Sequence, residues 1–235
     1  MNNQAIEKYV PSHGASLDVH SIFLTIQGEG PFAGERAIFI RLAGCNLQCP
    51  MCDTEYTQGR TRMTIAEILM GMTQLAGKER MLVVITGGEP FRQNIIPLVA
   101  YLESKDYFVQ IETNGTLATG KHPFKFDISA RKGTYIVCSP KTGKVHISVQ
   151  QWACAFKYVI DAKSIDPEDG LPTLVLGHTA NPKVFRAPKG VRVYVQPMDE
   201  QDPANVQRNL DQTIASCLKH GYTLQLQIHK LMGLQ

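Results

Sequence analysis

The sequence has few of the features that mark membrane, secreted or nucleic-acid-binding proteins. Its 235 residues contain no apolar run near the roughly 20 residues of a membrane-spanning helix, and the N-terminus lacks the basic and then apolar pattern of a signal peptide. The net charge is only +3, without a run of like charges or an arginine-rich stripe. We therefore expect a cytoplasmic protein with no nucleic-acid or membrane partner, acting on a small molecule.

A cytoplasmic protein makes little use of disulfides, so the six cysteines need another explanation. Three of them, Cys45, Cys49 and Cys52, form a CxxxCxxC motif directly after an apolar segment. A structural zinc site requires four ligands, and the neighbouring sequence supplies no fourth. An iron–sulfur cluster held by three thiolates, with one iron left open for chemistry, fits the motif better. The other cysteines lie apart and are expected to be small buried side chains: Cys138, Cys154 and Cys217.

The apolar segments predict an α/β protein with a mainly parallel sheet. The length and a hydrophobic content of 43% fit one domain, to which we assign residues 18–235, after a lightly packed N-terminal tail of residues 1–17. Short apolar segments alternate with turns rich in glycine or proline, as in βα units. They are residues 37–42, 81–86, 107–113, 135–138, 156–160, 191–195 and 223–228.

Helical signals are fewer than a complete barrel requires. Thr64 begins a capping box for Ile65–Ala76, Asn94 precedes a helix with a proline in its first turn, and residues 205–220 have apolar side chains at helical spacing. An eight-fold barrel needs eight helices. We therefore expect a partial, open TIM-like barrel of about six or seven strands with few helices.

Polar or glycine-rich motifs follow several of the predicted strands. In Gly87-Gly88-Glu89-Pro90 the glycines let the backbone approach a ligand closely, and Glu89 offers a carboxylate to an ammonium group. The others are Asn114-Gly115, Ser139-Pro140-Lys141 and Gln196-Pro197-Met198-Asp199. Because the carboxyl ends of parallel strands lie at one edge of a sheet, these motifs should converge with the cysteines.

Taken together, the motifs resemble a known family. The CxxxCxxC motif followed by Gly-Gly-Glu-Pro is similar to the radical S-adenosylmethionine (SAM) superfamily, and eight motifs in order resemble its 7-carboxy-7-deazaguanine synthase family. They are FLTIQGEG (residues 23–30), FIRLAG (39–44), CDT (52–54), VITGGEP (84–90), IETNG (111–115), CSPK (138–141), QPMD (196–199) and QIHK (227–230). The resemblance covers residues 22–235, almost the whole chain.

The resemblance implies a radical SAM core, a reaction and a set of cofactors. The cysteines would hold a [4Fe–4S] cluster whose open iron binds SAM, and cleavage of SAM would give a 5′-deoxyadenosyl radical. That radical would begin the contraction of 6-carboxy-5,6,7,8-tetrahydropterin to 7-carboxy-7-deazaguanine with loss of ammonia, in deazapurine (queuosine-type) biosynthesis. A carbon–nitrogen lyase that needs Mg²⁺, an electron donor such as flavodoxin, and a homodimer are further implications.

Roles for individual residues follow from the same resemblance. Thr54 matches a magnesium ligand, and the planar charge of Arg41 suits a negative group or acceptor on the substrate. The residues implied to line the SAM pocket are Met51, Cys52, Gly88, Ser139, Pro140, Lys141, Gln196, Pro197, Met198 and Asp199. Those implied to contact the substrate are Ile26, Gln27, Gly28, Arg41, Thr86 and Gln235. Three residues are open between ligand contact and structural hydrogen bonding: Glu29, Glu89 and His229.

Two other functions fit parts of the sequence. An activase that makes a glycyl radical in a partner protein would use the same cysteine motif, but Gln27, Arg41 and Thr54 would then have no evident purpose. A metal-stapled binding or regulatory protein would carry zinc instead of iron. Iron and sulfide content separates the second function from the family function, and a turnover assay separates the first.

Overall fold

The computed structural model describes residues 2–77, 79–176, 178–179, 183–200 and 202–234. The strands are β1 (Ser16–Ile26), β2 (Arg36–Leu42), β3 (Thr61–Thr64), β4 (Leu82–Gly87), β5 (Phe108–Thr113), β6 (Phe126–Asp127), β7 (Lys132–Cys138), β8 (Ala153–Ile160), β9 (Leu174–Val175), β10 (His178–Thr179), β11 (Arg192–Pro197) and β12 (Thr223–Leu224). The helices are α1 (Ile65–Ala76), α2 (Ile96–Ser104), α3 (Ile147–Trp152), α4 (Pro203–His220) and α5 (Ile228–Leu231).

One large sheet dominates the fold. Within the described residues it has ten strands in the order β12-β11-β8-β7-β5-β4-β2-β1-β3, with β6 paired alongside β7. The seven strands from β12 to β2 run parallel, whereas β1 and β3 are antiparallel additions at one end. In the part of the chain that is described, β12 and β3 do not pair, so the sheet stays open. The prediction of an open barrel of six or seven mainly parallel strands is confirmed.

The two faces of the sheet bury different side chains. One face carries aliphatic residues such as Ile40 and Ile85 and packs against α1 and α2. The opposite face holds a smaller apolar cluster near the amino ends of the strands, to which Phe108 belongs. Further along β5 the same face carries Gln110 and then Glu112, because alternate residues of a strand share a face. This face therefore becomes polar toward the carboxyl ends of the parallel strands.

The helix predictions hold closely. The Thr64 side chain accepts a hydrogen bond from the Glu67 N–H and the Glu67 carboxylate accepts one from the Thr64 N–H, which completes the capping box of α1. Asn94 accepts from the Ile96 N–H at the start of α2. Asp202 caps α4, which begins at Pro203, two residues before the predicted start. None of the helices in the described segments has the length and apolar character to cross a membrane.

Both ends of the chain differ from the sequence-based expectation. Strand β1 was missed because polar residues such as Asp18 and His20 interrupt its apolar pattern, and it begins at Ser16, inside the expected tail. The predicted strand at residues 223–228 was wrong beyond Leu224, because the chain leaves the sheet there and enters α5. Within the expected tail, the Asn2 and Glu7 N–H groups donate to the carbonyls of Pro50 and Cys45, and the Val10 N–H donates to the Arg92 carbonyl, so its backbone bonds to two other segments.

Candidate functional site

Polar side chains meet at the carboxyl ends of the parallel strands. Arg41 of β2 lies in register with Thr86 of β4, and the Thr86 hydroxyl donates a 3.0 Å hydrogen bond to Glu112 of β5. The buried Gln27, which follows β1, donates to the other oxygen of the Glu112 carboxylate at 3.1 Å. Three of the residues implied to contact substrate are therefore neighbours, and Glu112 connects two of them.

Arg41 has an unpaired donor in this group. Burial lowers the pKa of its guanidinium, and the Asp53 and Glu112 carboxylates oppose that shift, so the side chain keeps its charge. Its carbon Cζ lies 5.1 Å from the ring centre of Phe23. Among the described residues, nothing accepts a hydrogen bond from its buried Nε. A buried donor without a partner costs free energy, so this group suits an anionic acceptor on a ligand.

The cysteine motif lies in a loop at the same edge of the sheet. This segment, residues 45–56, is called the cluster loop. Its base is closed by a 2.8 Å hydrogen bond from the Gly44 N–H to the Tyr56 carbonyl. Asn46 donates to Thr116 at 2.8 Å and accepts from Asn114 at 3.0 Å, which ties the loop to the segment after β5. The cluster loop and the motif that follows β5 are thus in direct contact.

The three thiols lie in surroundings that favour their protonated form until a metal binds. Burial raises the pKa of Cys45 to about 12 and also raises the pKa values of Cys49 and Cys52. The Lys141 ammonium, which donates to Ser139 Oγ at 2.9 Å, opposes the shift at Cys49 and Cys52. Because metal-bound thiolates carry negative charge, a cation at this position suits a cysteine-held cluster.

The Gly-Gly-Glu-Pro turn packs directly on the base of the cluster loop. A β-carbon added to Gly88 would lie 2.0 Å from the Gly44 carbonyl oxygen, so only glycine permits this approach. The fully buried Glu89 carboxylate accepts from Thr113 at 2.7 Å, from the Asn114 N–H at 2.8 Å and from the Phe91 N–H at 3.0 Å. Glu89 therefore braces the turn, and its carboxylate faces protein donors.

A largely buried ion pair, with each side chain 12% exposed, lies beside the substrate residues. Lys157 of β8 pairs with Glu29, whose carboxylate also accepts from Gln227 at 2.6 Å and from Gln196 at 3.4 Å. Burial alone would raise the pKa of Glu29, but the Lys157 ammonium holds that pKa below its usual range. The same contact raises the pKa of Lys157 against its own burial. Both groups therefore stay charged, and together they join β8, β11 and the two ends of the chain.

The remaining residues implied to bind SAM lie on three loops around the cysteines. The buried side chain of Gln196 donates to Glu29 and accepts from Gln225, so both ends of its amide already have protein partners. Asp199 is exposed and pairs with Lys230, and the Met198 N–H bonds to the Ile160 carbonyl at the end of β8. The others are the exposed Met51, the buried Pro140 and Pro197 at the end of β11.

The end of the chain reaches the same edge of the sheet. Ile228 donates its N–H to the Gly28 carbonyl at 3.3 Å, and the ring of His229 lies against Gly28. Lys230 Nζ lies 2.9 Å from Asp53 Oδ2 and 3.1 Å from Asp199 Oδ2. Helix α5 thereby connects the cluster loop with the loop after β11. Gln235, implied to contact the substrate, lies outside the described residues.

The ligand types fit a cluster with one open iron. Three thiols without a fourth suit an iron–sulfur cluster that keeps a position for SAM. Among the described side chains, no group of three histidine, cysteine or acidic residues is arranged to hold a single metal ion. Thr54 offers a hydroxyl, 3.4 Å from Asp53 Oδ1, and oxygen ligands of this kind suit Mg²⁺.

An open parallel sheet with a three-cysteine loop at its carboxyl edge defines a radical SAM protein, and residues 39–161 match the family model of the radical SAM superfamily. The chain is 42% identical over 228 residues to 7-carboxy-7-deazaguanine synthase of Rhodospirillum rubrum, with 94% of each chain covered. It is 38% identical over 232 residues to the Rickettsia prowazekii protein of the same name, covering 94% of this chain and 90% of that one. The chain therefore belongs to the 7-carboxy-7-deazaguanine synthase family.

A solved structure agrees with this assignment. The crystal structure of QueE from Escherichia coli superposes with a TM-score of 0.68 at 25% sequence identity, covering 90% of this chain and 93% of that one. The agreement extends over nearly all of both chains. The cofactors of this protein are accordingly a [4Fe–4S] cluster and SAM.

Sequence reasoning missed several residues that build the site. Lys157 and Glu112 each lie within an apolar strand, and a charged residue at such a position is rarely buried unless it is paired, which is the signal that was available. Glu112 and Lys230 were quoted only as parts of motifs. Residues 2–8 gave no signal, because their role depends on contacts with residues that are distant in the sequence, such as Thr54 for Gln4.

Proposed function

We propose that this protein catalyses the radical ring contraction of 6-carboxy-5,6,7,8-tetrahydropterin to 7-carboxy-7-deazaguanine, with loss of ammonia. Family membership supports the reaction. The observation in the fold that carries it is the half-buried Arg41 with its buried and unpaired Nε, beside Thr86 and within the field of Asp53 of the cluster loop. A guanidinium at this position is complementary to a carboxylated substrate.

Cys45, Cys49 and Cys52 hold the cluster in this proposal. When bound, the cluster and SAM supply a carbon-centred radical that removes a hydrogen atom from the substrate. Lys141 contributes positive charge beside the thiolates, and Gly88 lets the turn pack closely on the base of the cluster loop. The residues proposed to line the SAM pocket are those implied by the resemblance, with Gln196 contributing through its backbone because its side chain is engaged elsewhere.

The substrate is oriented by the residues at the carboxyl ends of β1, β2 and β4. Ile26, Gln27 and Gly28 border the pterin, Arg41 binds its carboxylate or a neighbouring acceptor, and Thr86 contacts it beside Glu112. Glu112 fixes the side chains of Gln27 and Thr86, so neither loses further rotamer freedom when the substrate binds. Gln235, which lies outside the described residues, is also proposed to contact the substrate.

Magnesium and partner proteins complete the proposal. Thr54 supplies an oxygen ligand to Mg²⁺, and the substrate carboxylate supplies another. An electron donor such as flavodoxin reduces the cluster, and the active form is a homodimer. The position of the cluster loop near the protein surface, with Met51 64% exposed, suits electron entry from an external donor.

An anaerobic turnover assay tests the function. The reconstituted protein is incubated with SAM, reductant, Mg²⁺ and the carboxytetrahydropterin, and products are identified by mass spectrometry with Cys49→Ala as the blank. We expect 7-carboxy-7-deazaguanine and ammonia in equal amounts, with SAM regenerated, and none from the blank. If the protein carries four irons and forms no deazaguanine, the proposed reaction is wrong. If it contains zinc in place of iron, a binding protein is favoured.

A further inference from the structure

The N-terminal segment lies along the cluster loop. Residues 2–8 are called the N-terminal strap. The Asn2 side chain donates to the Cys49 carbonyl at 3.2 Å, its N–H donates to the Pro50 carbonyl, and the Glu7 N–H donates to the Cys45 carbonyl at 2.7 Å. Two of the three cluster ligands therefore have their own carbonyl groups bound by the strap.

Gln4 makes the most specific contact of the strap. Its Nε2 donates to the Thr54 carbonyl at 2.8 Å, and its Oε1 accepts from the Tyr56 N–H at 2.7 Å. Its own carbonyl accepts from Gln48 at 2.8 Å. One amide side chain thus binds the backbone on both sides of residue 55. Both groups of the Gln4 amide are used: the NH₂ donates to the Thr54 carbonyl, and the oxygen accepts from the Tyr56 N–H.

Tyr56, at the end of the cluster loop, is also held by the rest of the fold. The Tyr56 carbonyl accepts from the Gly44 N–H, and its ring is buried with the hydroxyl donating to the Leu47 carbonyl at 3.3 Å. Thr54 therefore lies between Cys52, which the cluster fixes, and Tyr56, which the fold fixes. Among the described residues outside the loop, Gln4 is the one that donates a hydrogen bond to the Thr54 carbonyl.

We propose that Gln4 is a positioning residue for the magnesium site at Thr54. By binding the Thr54 carbonyl, it sets where the Thr54 hydroxyl points relative to the cluster, and so lowers the Mg²⁺ concentration that turnover requires. This inference rests on the proposed function, because it takes Thr54 as the magnesium ligand. Partners that orient a metal ligand typically affect metal affinity by about 10- to 100-fold.

Three variants of the full chain test the inference. Gln4→Ala removes both hydrogen bonds. Gln4→Glu keeps an acceptor for the Tyr56 N–H but removes the donor to Thr54. Asn94→Ala is the matched control, because that amide also donates to the N-terminal segment, at the Ser12 carbonyl at 3.0 Å, and accepts from a backbone N–H, yet lies away from the cluster loop.

Each reconstituted variant is measured in four ways. Iron and sulfide content reports cluster loading, and hydrogen–deuterium exchange reports the Tyr56 amide. Turnover against Mg²⁺ concentration gives the half-saturating concentration and, separately, kcat at saturating Mg²⁺. For Gln4→Ala we expect full iron loading, faster exchange at Tyr56, a half-saturating Mg²⁺ concentration about tenfold higher and kcat within about twofold of wild type. Gln4→Glu should share the Mg²⁺ effect but keep Tyr56 protected.

The outcomes separate this inference from the proposed function. Wild-type half-saturation in both Gln4 variants would overturn the positioning role, and so would an equal rise in Asn94→Ala. Loss of iron in both Gln4 variants, with no recovery at high Mg²⁺, would make Gln4 a structural residue of the loop and also overturn it. A wild-type enzyme that forms no deazaguanine would instead contradict the proposed reaction, whatever the exchange data show.

Discussion

Gly28 lies so close to His229 that a β-carbon on residue 28 would come within 1.8 Å of the imidazole Nδ1. The two residues belong to opposite ends of the chain: Gly28 follows β1, and His229 lies in α5, just after β12. Strands β1 and β12 lie toward opposite ends of the open sheet. The contact therefore joins the two sides of the opening at the edge where the substrate residues lie.

Gly28→Ala is predicted to abolish most activity while leaving the cluster loaded. The new methyl group must displace the His229 ring, and with it the Ile228 contact to the Gly28 carbonyl. A displacement of about 1 Å at a site of this kind costs about 100-fold in kcat/KM. The measurement is steady-state turnover with iron content as the loading control.

Gly71→Ala serves as the comparison for that prediction. Gly71 lies in α1, and its added β-carbon would be 3.3 Å from the flexible end of Ile22. Alanine is the better helix former by about 1 kcal/mol, so this variant should fold and turn over like wild type. Retained activity in Gly28→Ala would show that His229 has room to move without consequence.

The fold was predictable where local patterns determine it. Each of the seven parallel strands overlaps one of the predicted segments, and the capping box of α1 needs only Thr64 and Glu67. Strand β1 was missed because its own sequence has no continuous apolar pattern. Its backbone is held in the sheet by pairing with β2 on one side and β3 on the other. No residue near Leu224 signals the end of the last strand. The chain leaves the sheet there and enters α5, where the Ile228 N–H bonds to the Gly28 carbonyl.

The positions of the motifs predicted which residues form much of the site. The hydrogen-bond partners of those residues could be identified only from the structure. Arg41, Thr86 and Gln27 were expected near one another, and they are. Glu112, which accepts hydrogen bonds from Gln27 and Thr86, had no assigned role. The sequence of one strand does not show which side chains of neighbouring segments it will bond. The hydrogen bond from Gln4 to Thr54 joins residues 50 positions apart, and no pattern in the sequence predicts it.

The Glu29–Lys157 pair should show unequal costs when each partner is removed. Lys157→Met leaves the Glu29 carboxylate buried without its cation, at a cost of about 3–5 kcal/mol in the free energy of unfolding. Glu29→Gln should cost less, because Glu112 also stabilises the Lys157 charge. The double variant should recover part of the loss. Urea unfolding of the cluster-free protein measures all four species, and additive costs would contradict the coupling.

Glu89 should make the stability of the cluster-free protein depend on pH in a defined direction. Burial raises the pKa of Glu89 to about 7, against the opposing hydrogen bonds of Asn114, Thr113 and Phe91. Because the folded state binds this proton more tightly than the unfolded chain, the contribution is complete below about pH 4.5 and is lost as pH rises through about 7.

Glu89→Gln isolates that contribution. The glutamine cannot titrate, so the difference in free energy of unfolding between wild type and variant should fall by about 2–3 kcal/mol between pH 5 and pH 8. The variant should also be less stable throughout, since its amide nitrogen cannot accept from a backbone N–H. A difference that is constant with pH would show that Glu89 keeps its ordinary pKa in the folded protein.

Lys230 should matter more for turnover than for stability. Its ammonium bridges Asp53, next to Cys52 in the cluster loop, and Asp199 in the loop after β11. Both carboxylates are more than half exposed, so the bridge contributes less than about 1 kcal/mol to the free energy of unfolding. It nevertheless sets the separation of two loops that are proposed to enclose SAM. Lys230→Met should therefore lower kcat/KM for SAM by about tenfold with little change in the unfolding midpoint.

Two further variants decide whether the Lys230 effect is specific to the bridge. Lys230→Arg keeps a cation that can reach both carboxylates, and it should recover most of the lost kcat/KM. Lys219→Met removes another exposed lysine, whose ammonium donates only to the Pro167 carbonyl among the described residues, and it should have no effect. If Lys230→Met and Lys219→Met behave alike, the two loops keep their positions without the bridge. If arginine fails where lysine succeeds, the reach of a single ammonium, and not its charge alone, sets the loop separation.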